Sequence, residues 1–222
     1  EKHWEADQVE KVEILNEGER AGLKVTKKFK NSTIVQSIYL YNNIDKIDFQ
    51  TYMDWKESHL ILKTAFPVDV NTNKATYDIQ FGSVERPTHK NTSWDAARFE
   101  VCAHKYCDLS EYGYGVSLMN DCKYGHAIHD GVMSLTMLKC GTFPDPDADK
   151  CEHEFTYSLF PHAGDYREAG TIQKAYDLNI PMICKKVGEN KGNLANEFSF
   201  FTVDCDNVIF ETAKKAERED TI

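Results

Sequence analysis

The chain has 222 residues, and its 26 Lys plus Arg against 36 Asp plus Glu leave a formal charge of −10. With 41% hydrophobic residues it is too apolar for a disordered chain, and its length is enough to bury roughly 70% of the unfolded surface in a core of useful size. The acidic balance excludes DNA, RNA or an anionic membrane as the main partner, because each of those needs a basic face.

In chain order, the first half reads as successive strands. Val9 to Leu15 alternates Val9, Val12 and Ile14 with charges, and Ala21 to Phe29 puts Leu23 and Val25 on one face. Thr33 to Tyr41 is dense in β-branched and aromatic residues. Lys46 to Trp55 and Leu60 to Val70 follow, the latter punctuated by Pro67. Asn16-Glu17-Gly18, Asn31-Ser32, Asn42-Asn43 and Asn71-Thr72-Asn73 supply the turns between them.

In the middle, short pieces at Tyr77 to Phe81, Arg98 to Val101 and Tyr114 to Met119 alternate with polar, aromatic-rich connections. The second half adds Val132 to Leu138, His153 to Phe160, Met182 to Val187, Phe198 to Val203 and Val208 to Thr212. A helix is predicted over Arg167 to Leu178, where Ile172, Ala175 and Tyr176 recur at helical spacing before Pro181 stops it. Closely spaced strands with turns between them predict an antiparallel sandwich, not a βαβ sheet. No repeat or linker interrupts it, so residues 1–222 read as one large β-sandwich domain.

Seven cysteines at irregular spacing, without a CxxC pair, do not form a secreted disulfide framework; they read as reduced thiols in a cytosolic protein. No basic-then-apolar leader begins the chain and no apolar stretch approaches the roughly 20 residues a bilayer requires, so no membrane partner is expected. A chain opening at Glu1 without an initiator Met reads as an excised piece.

Metal and catalytic motifs test poorly. Cys102-x-His104-x2-Cys107 has soft ligands, but on a strand Cys102 and His104 share a face that Cys107 does not. Asp145-Pro146-Asp147-Ala148-Asp149 fails as a calcium loop, since Lys150 stands at the glycine position and Thr156 at that of the final Glu. There is no phosphate-binding GxxxxGK[ST] and no GxSxG. Arg86-Pro87-Thr88-His89-Lys90-Asn91-Thr92-Ser93-Trp94-Asp95 is different: a presumed loop concentrates hydrogen-bonding groups beside a Trp. Aromatic faces stack on sugar C–H surfaces while Arg, Asn, Asp and His satisfy hydroxyls, so the mix suits carbohydrate. Asp121-Cys122-Lys123-Tyr124-Gly125 and Tyr112-Gly113-Tyr114 have the same character. A well-bonded buried loop would carry the same composition.

Read together, these segments resemble the C-terminal β region of glycoside hydrolase family 38, the α-mannosidases, in its cytosolic, vacuolar and bacterial branch. The strings that carry the resemblance include Trp55-Lys56-Glu57-Ser58-His59, Ala75-Thr76-Tyr77-Asp78-Ile79-Gln80-Phe81-Gly82 and Arg86 to Asp95. They continue through Asp108-Leu109-Ser110-Glu111, Asn120-Asp121-x-Lys123-Tyr124-Gly125, His153-Glu154-Phe155-Thr156-Tyr157 and Pro161-His162. The resemblance implies a mainly β fold, a large antiparallel sandwich of the galactose-mutarotase-like supersandwich kind with one or two short helices. It also implies a retaining exo-α-mannosidase in which zinc and two carboxylates do the chemistry. In the family nearly all of that machinery lies in an N-terminal α/β part. This chain is therefore expected to be a fragment, without final C-terminal strands, with no cofactor of its own and no activity alone.

The resemblance further implies side chains at the rim of the mannoside pocket. Tyr77 aligns with a substrate-contacting Tyr, and Arg86, His89, Asn91, Trp94, Asp95, Lys123 and Tyr124 sit at matching motif positions. Lys139 stands in Leu138-Lys139-Cys140-Gly141, where relatives carry Arg, and Lys lacks the planar fork a bidentate contact uses. A cut-away domain is expected to expose an apolar docking face and to self-associate there as a homo-oligomer. A free-standing lectin-like carbohydrate-binding module is the alternative reading, and a metal- or thiol-based enzyme around Cys102 and His104 is a third.

Overall fold

The computed structural model describes residues 2–189, 191–193 and 195–221. The chain divides into two compact units, one ending at Pro181 and one beginning at Met182.

The first unit holds two antiparallel sheets. The larger has nine strands in the order β1 (Gln8–Asn16), β2 (Arg20–Phe29), β3 (Ser32–Tyr41), β4 (Ile47–Asp54), β13 (Glu152–Ala163), β10 (Tyr114–Asn120), β9 (Tyr106–Glu111), β6 (Lys74–Ile79) and β7 (Gly82–Pro87). The smaller has four, in the order β5 (Leu60–Pro67), β12 (Val132–Cys140), β11 (Gly125–His129) and β8 (Val101–Cys102). The predicted sandwich is therefore the observed fold. Alternation along each strand sends one set of side chains inward. Met53, Tyr77, Leu109, Leu118 and Tyr157 of the large sheet meet Ile128, Met133 and Leu135 of the small one in a single apolar cluster. Phe49 stacks on Tyr157 at 4.8 Å and meets Phe66 of β5 at 5.5 Å, which places β5 over the β4–β13 pair.

The outer face of the large sheet carries a second, smaller core. Tyr106, Met119 and Phe160 pack there with Tyr166 and with Ala175 of helix α2 (Thr171–Asn179). The helix predicted over Arg167 to Leu178 starts later because Gly170 takes a left-handed φ of 71°, and the residues just before it form turns. A second helix, α1 (Ser93–Ala97), occupies the stretch read as a loop. Thr92 and Asp95 close it with a reciprocal capping box, in which each side chain bonds the other residue's backbone N–H.

Opposite this, at the β1–β3 end, the register Ile14↔Leu23↔Ile38 lines up apolar residues on one face. Ile14 is 85% exposed and Leu40 59%. The unit thus displays exposed apolar side chains along this strip.

In the second unit, the strands predicted at Met182 to Val187, Phe198 to Val203 and Val208 to Thr212 are absent among the described residues. Strand propensity is realised only when a neighbouring strand takes up the backbone N–H and C=O groups. What this unit keeps is local: Phe201 stacks on Phe210 at 4.4 Å and Phe198 meets Phe200 edge-on at 5.0 Å. Among the described residues, no helix is long and apolar enough to cross a membrane.

Candidate functional site

The predicted rim residues divide into those that the hairpin β6–β7 gathers and those it leaves apart. Tyr77 points inward from β6 and is 2% exposed. Burial, with the neighbouring Cys107 thiol adding to it, pushes its hydroxyl well above the ordinary phenol range, while Arg86 and a backbone bond at Ile128 pull the other way. Arg86 lies on the partner strand β7, opposite Ala75, and carries its guanidinium carbon to 5.8 Å from the centre of the Tyr77 ring. Its Nε is buried with no hydrogen-bond partner. Tyr77, Arg86, Asp95, Arg98 and His129 line one narrow crevice at the β7 edge of the sandwich, with Ala127 and Ile128 of β11 behind them.

The chain after β7 is pinned so that α1 overhangs this crevice. Thr88 donates its N–H to the Asn73 carbonyl at 3.1 Å and its hydroxyl to that of Thr72 at 2.9 Å, and its own carbonyl lies 3.3 Å from His129 Nδ1. His89 Nδ1 stands 3.6 Å from Asp95 Oδ2 and accepts the Asn91 N–H at 3.4 Å. The Thr92 hydroxyl and N–H hold the Asp95 carboxyl below the usual carboxylate range, with His89 and Arg98 adding a weaker pull. Trp94, on the outer side of α1, is 77% exposed.

The remaining predicted residues lie elsewhere. Lys123 and Tyr124 occupy the β10–β11 turn, where Lys123 Nζ sits 4.4 Å from the Phe155 ring centre and Tyr124 meets His104 edge-on at 5.8 Å. Lys139 is exposed at the far end of β12, with its N–H donated to Asp149 Oδ2 at 3.0 Å. None of these three lines the crevice.

Two residues of the crevice, Arg98 and His129, and one outside it, Glu100, were not singled out from the sequence. His129 closes the crevice as the last residue of β11, and a His ending a short, glycine-led strand carries no motif that marks it. Glu100 bridges the outer surface of the small sheet, accepting from Lys63 Nζ at 2.7 Å and from the Thr136 hydroxyl at 2.6 Å. Burial alone would raise its pKa, but those two hydrogen bonds outweigh it and leave the carboxyl below its usual range.

The zinc implied by the resemblance does not fit the residues present: among the described residues, no three His, Cys, Asp or Glu side chains converge on one point. All seven cysteines carry free thiols. Cys107 is buried in the inter-sheet core, which pushes its thiol far up, whereas Cys102 is exposed, so the pair does not share a site.

Residues 1–147 match the sequence profile described as "Glycosyl hydrolases family 38 C-terminal domain". The chain belongs to glycosyl hydrolase family 38. Alpha-mannosidase 2C1 of Homo sapiens is 46% identical over 187 residues, covering 84% of this chain and 18% of that protein. Alpha-mannosidase G of Dictyostelium discoideum is 40% identical over 191 residues, with 84% and 17% covered. An alpha-mannosidase of Saccharomyces cerevisiae is 35% identical over 222 residues, with 96% and 20% covered. The chain thus spans about a fifth of the length of the curated relatives it matches. Among solved structures, an alpha-mannosidase from Enterococcus faecalis V583 superposes with a TM-score of 0.73 at 18% identity, over 85% of this chain and 26% of that one. At that identity the likeness speaks for the fold, and it agrees with the two-sheet sandwich described above.

Proposed function

We propose that this chain is the C-terminal part of a retaining exo-α-mannosidase that removes terminal α-mannose residues from oligosaccharides in the cytoplasm. On this reading the zinc and the two carboxylates of the reaction belong to a catalytic part that the chain does not contain, and the domain by itself is inactive. Its role is to brace that part and to lend side chains to the rim of the sugar pocket. The observation that carries the reading is the match of residues 1–147 to a family domain, together with relatives named as alpha-mannosidases of which the chain spans only a fifth. The crevice supports the rim role. Arg86 lines it with Asp95 and His129, and His89 stands against Asp95, a mixture of donors and acceptors that suits hydroxyl groups. Seven free thiols suit a reducing compartment, and the apolar β1–β3 strip suits burial against the rest of a longer protein or, in its absence, against a second copy.

The test compares the full gene product, supplied with zinc, and the 222-residue chain on an aryl α-mannoside. Turnover by the former and none by the latter is expected. Turnover by this chain alone overturns the division of labour, and a full product that leaves α-mannosides intact overturns the substrate class.

A further inference from the structure

The large sheet ends in a long open edge that the rim role does not use. Among the described residues, β1 has a ladder partner on one side only, β2, so its outer backbone N–H and C=O groups face away from the sheet. Such a row is a template for another strand. Seven of the nine residues of β1 are exposed, with Val9 at 50%, Val12 at 54% and Ile14 at 85%. Charges and a bulge ordinarily blunt an edge, but here the register against β2 shifts only between Val9 and Lys11 and leaves Lys11 to Asn16 regular.

The two faces of this edge differ. Ile14 lies opposite Leu23, which lies opposite Ile38, which lies opposite Phe49 of β4. Phe49 in turn meets Phe66 of β5, the edge strand of the small sheet. The apolar strip is therefore the core-facing side of the large sheet, continued past the point where the small sheet stops covering it. Lys11 and Glu13 alternate with Val12 and Ile14 and so lie on the opposite face, where their charged ends are 2.9 Å apart in solvent.

The order of charges along β1 selects the strand that fits it. If β1 pairs with a second copy of itself, a two-fold axis perpendicular to the sheet keeps both apolar strips on one side and passes through a single residue. An axis through Glu10, Lys11 or Glu13 sets like charges directly opposite each other, which opposes pairing. An axis through Val9 or Ile14 engages five residues of β1 or fewer and makes no charge pair. An axis through Val12, the middle residue, engages all nine. It sets Val12 against Val12 on the apolar face and, on the other face, Lys11 against the second copy's Glu13 and Glu13 against the second copy's Lys11. Each opposite-charge pair directly across a ladder favours it. We propose that the chain forms a two-fold homodimer in which β1 pairs antiparallel with β1 of a second copy about Val12, joining the two large sheets into one and the two apolar strips into one surface. The proposal rests on the β1 edge and not on the mannosidase reading.

The test is sedimentation equilibrium of the 222-residue chain from micromolar to millimolar concentration, in reductant so that its exposed thiols do not cross-link copies. A monomer–dimer equilibrium is expected. Val12→Lys sets two ammonium groups against each other on the axis, and Lys11→Glu or Glu13→Lys alone sets like charges opposite each other in both pairs; each is expected to weaken the dimer about tenfold or more. The double exchange Lys11→Glu with Glu13→Lys reverses both pairs and restores them. It is expected to recover most of the affinity, though not all, because position 13 also lies opposite Lys24 of β2. All four substitutions are at exposed or half-buried edge positions, so thermal melts should stay where they are. If Val12→Lys melts early, the charge series decides alone. A chain that stays monomeric throughout overturns the proposal, as does a dimer that the single substitutions leave intact. A double exchange no stronger than its single variants overturns it too. None of these outcomes bears on whether the full-length protein hydrolyses mannosides, so the two readings fail separately.

Discussion

Across the β6–β7 hairpin, the guanidinium of Arg86 faces the ring of Tyr77, with 5.8 Å from the central carbon to the ring centre. One partner is sealed in the core by the β11 backbone, and the other lines the crevice while its Nε stays buried without a hydrogen-bond partner. The ring thus acts as a fixed wall that aims the fork. Arg86→Lys keeps the charge and removes the planar fork. On the proposed α-mannosidase function, kcat/KM of the full-length protein on an α-mannoside should fall about tenfold, which corresponds to about 1.4 kcal/mol. Stability should change by no more than about 1 kcal/mol, as befits a lost cation–π contact. Steady-state kinetics beside urea unfolding checks both, and unchanged kinetics would remove Arg86 from the rim.

Trp94 separates binding from stability. With most of its surface in solvent it contributes little to folding, and Trp94→Ala should shift the unfolding free energy by less than about 0.5 kcal/mol. Thermal melts measure this directly. If its indole stacks on sugar, the same variant raises KM for an oligomannoside in the full-length protein.

His126 should give the domain an acid-side weakness. The residue is fully buried, its Nε2 lies 3.4 Å from the Asn120 amide nitrogen, and burial pushes its pKa from the usual 6.5 down to about 4, against smaller opposing effects from the Tyr124 backbone and Glu100. Between those two values the unfolded chain binds a proton that the folded ring refuses, so stability rises with pH across the window. The contribution is complete above 6.5 and is lost as pH falls through 4, with about 3 kcal/mol at stake. Denaturant titrations from pH 7 to pH 4, on this chain and on His126→Asn, should show the variant with a flatter profile (about neutral to acid). Equal slopes would contradict the assignment.

Gly22 answers a purely steric question. A Cβ built there would stand 2.0 Å from the Ile38 carbonyl oxygen and 3.1 Å from the Tyr39 ring, and the nearer atom is backbone of the paired strand β3. The strand cannot retreat without losing ladder bonds, so Gly22→Ala should destabilise by about 2–3 kcal/mol or more. By contrast Gly188 has no atom near its missing Cβ, and Gly188→Ala should leave the melting curve where it is. Differential scanning calorimetry on the pair decides it.

Much of the fold is legible before any coordinates. Strands with one wet face, such as β2 and β4, alternate in sequence, and Asn, Gly and Ser mark their ends. Strand β9 escapes that signal because Tyr106, Cys107, Asp108 and Leu109 are all buried, Tyr106 against α2, and a charged Asp in the run reads as a loop. Strand β11 escapes because it is five residues long, begins with Gly and carries two His. The error runs the other way after Pro181, where apolar runs satisfy the pattern of strands and no ladder forms. Pattern reports which face a strand would bury; it does not supply the neighbour.

The same division governs the candidate sites. The residue strings alone determined the β-sandwich class and the family resemblance, and marked Arg86 to Asp95 as a stretch dense in hydrogen-bonding groups beside a Trp, because composition and spacing are local properties. Only the tertiary structure decided which of those groups meet. Antiparallel register sets Arg86 against the Tyr77 strand, a capping box turns Asp95 inward and Trp94 out, and distant β11 brings in His129, while Lys123, Tyr124 and Lys139 are carried off on other turns and strands. The Asp108–His162 pair, 54 positions apart, becomes visible only when β9 and β13 flank β10 in one sheet. Side chains far apart in sequence interact through hydrogen bonds only a few ångströms long, and it is strand order that closes that distance.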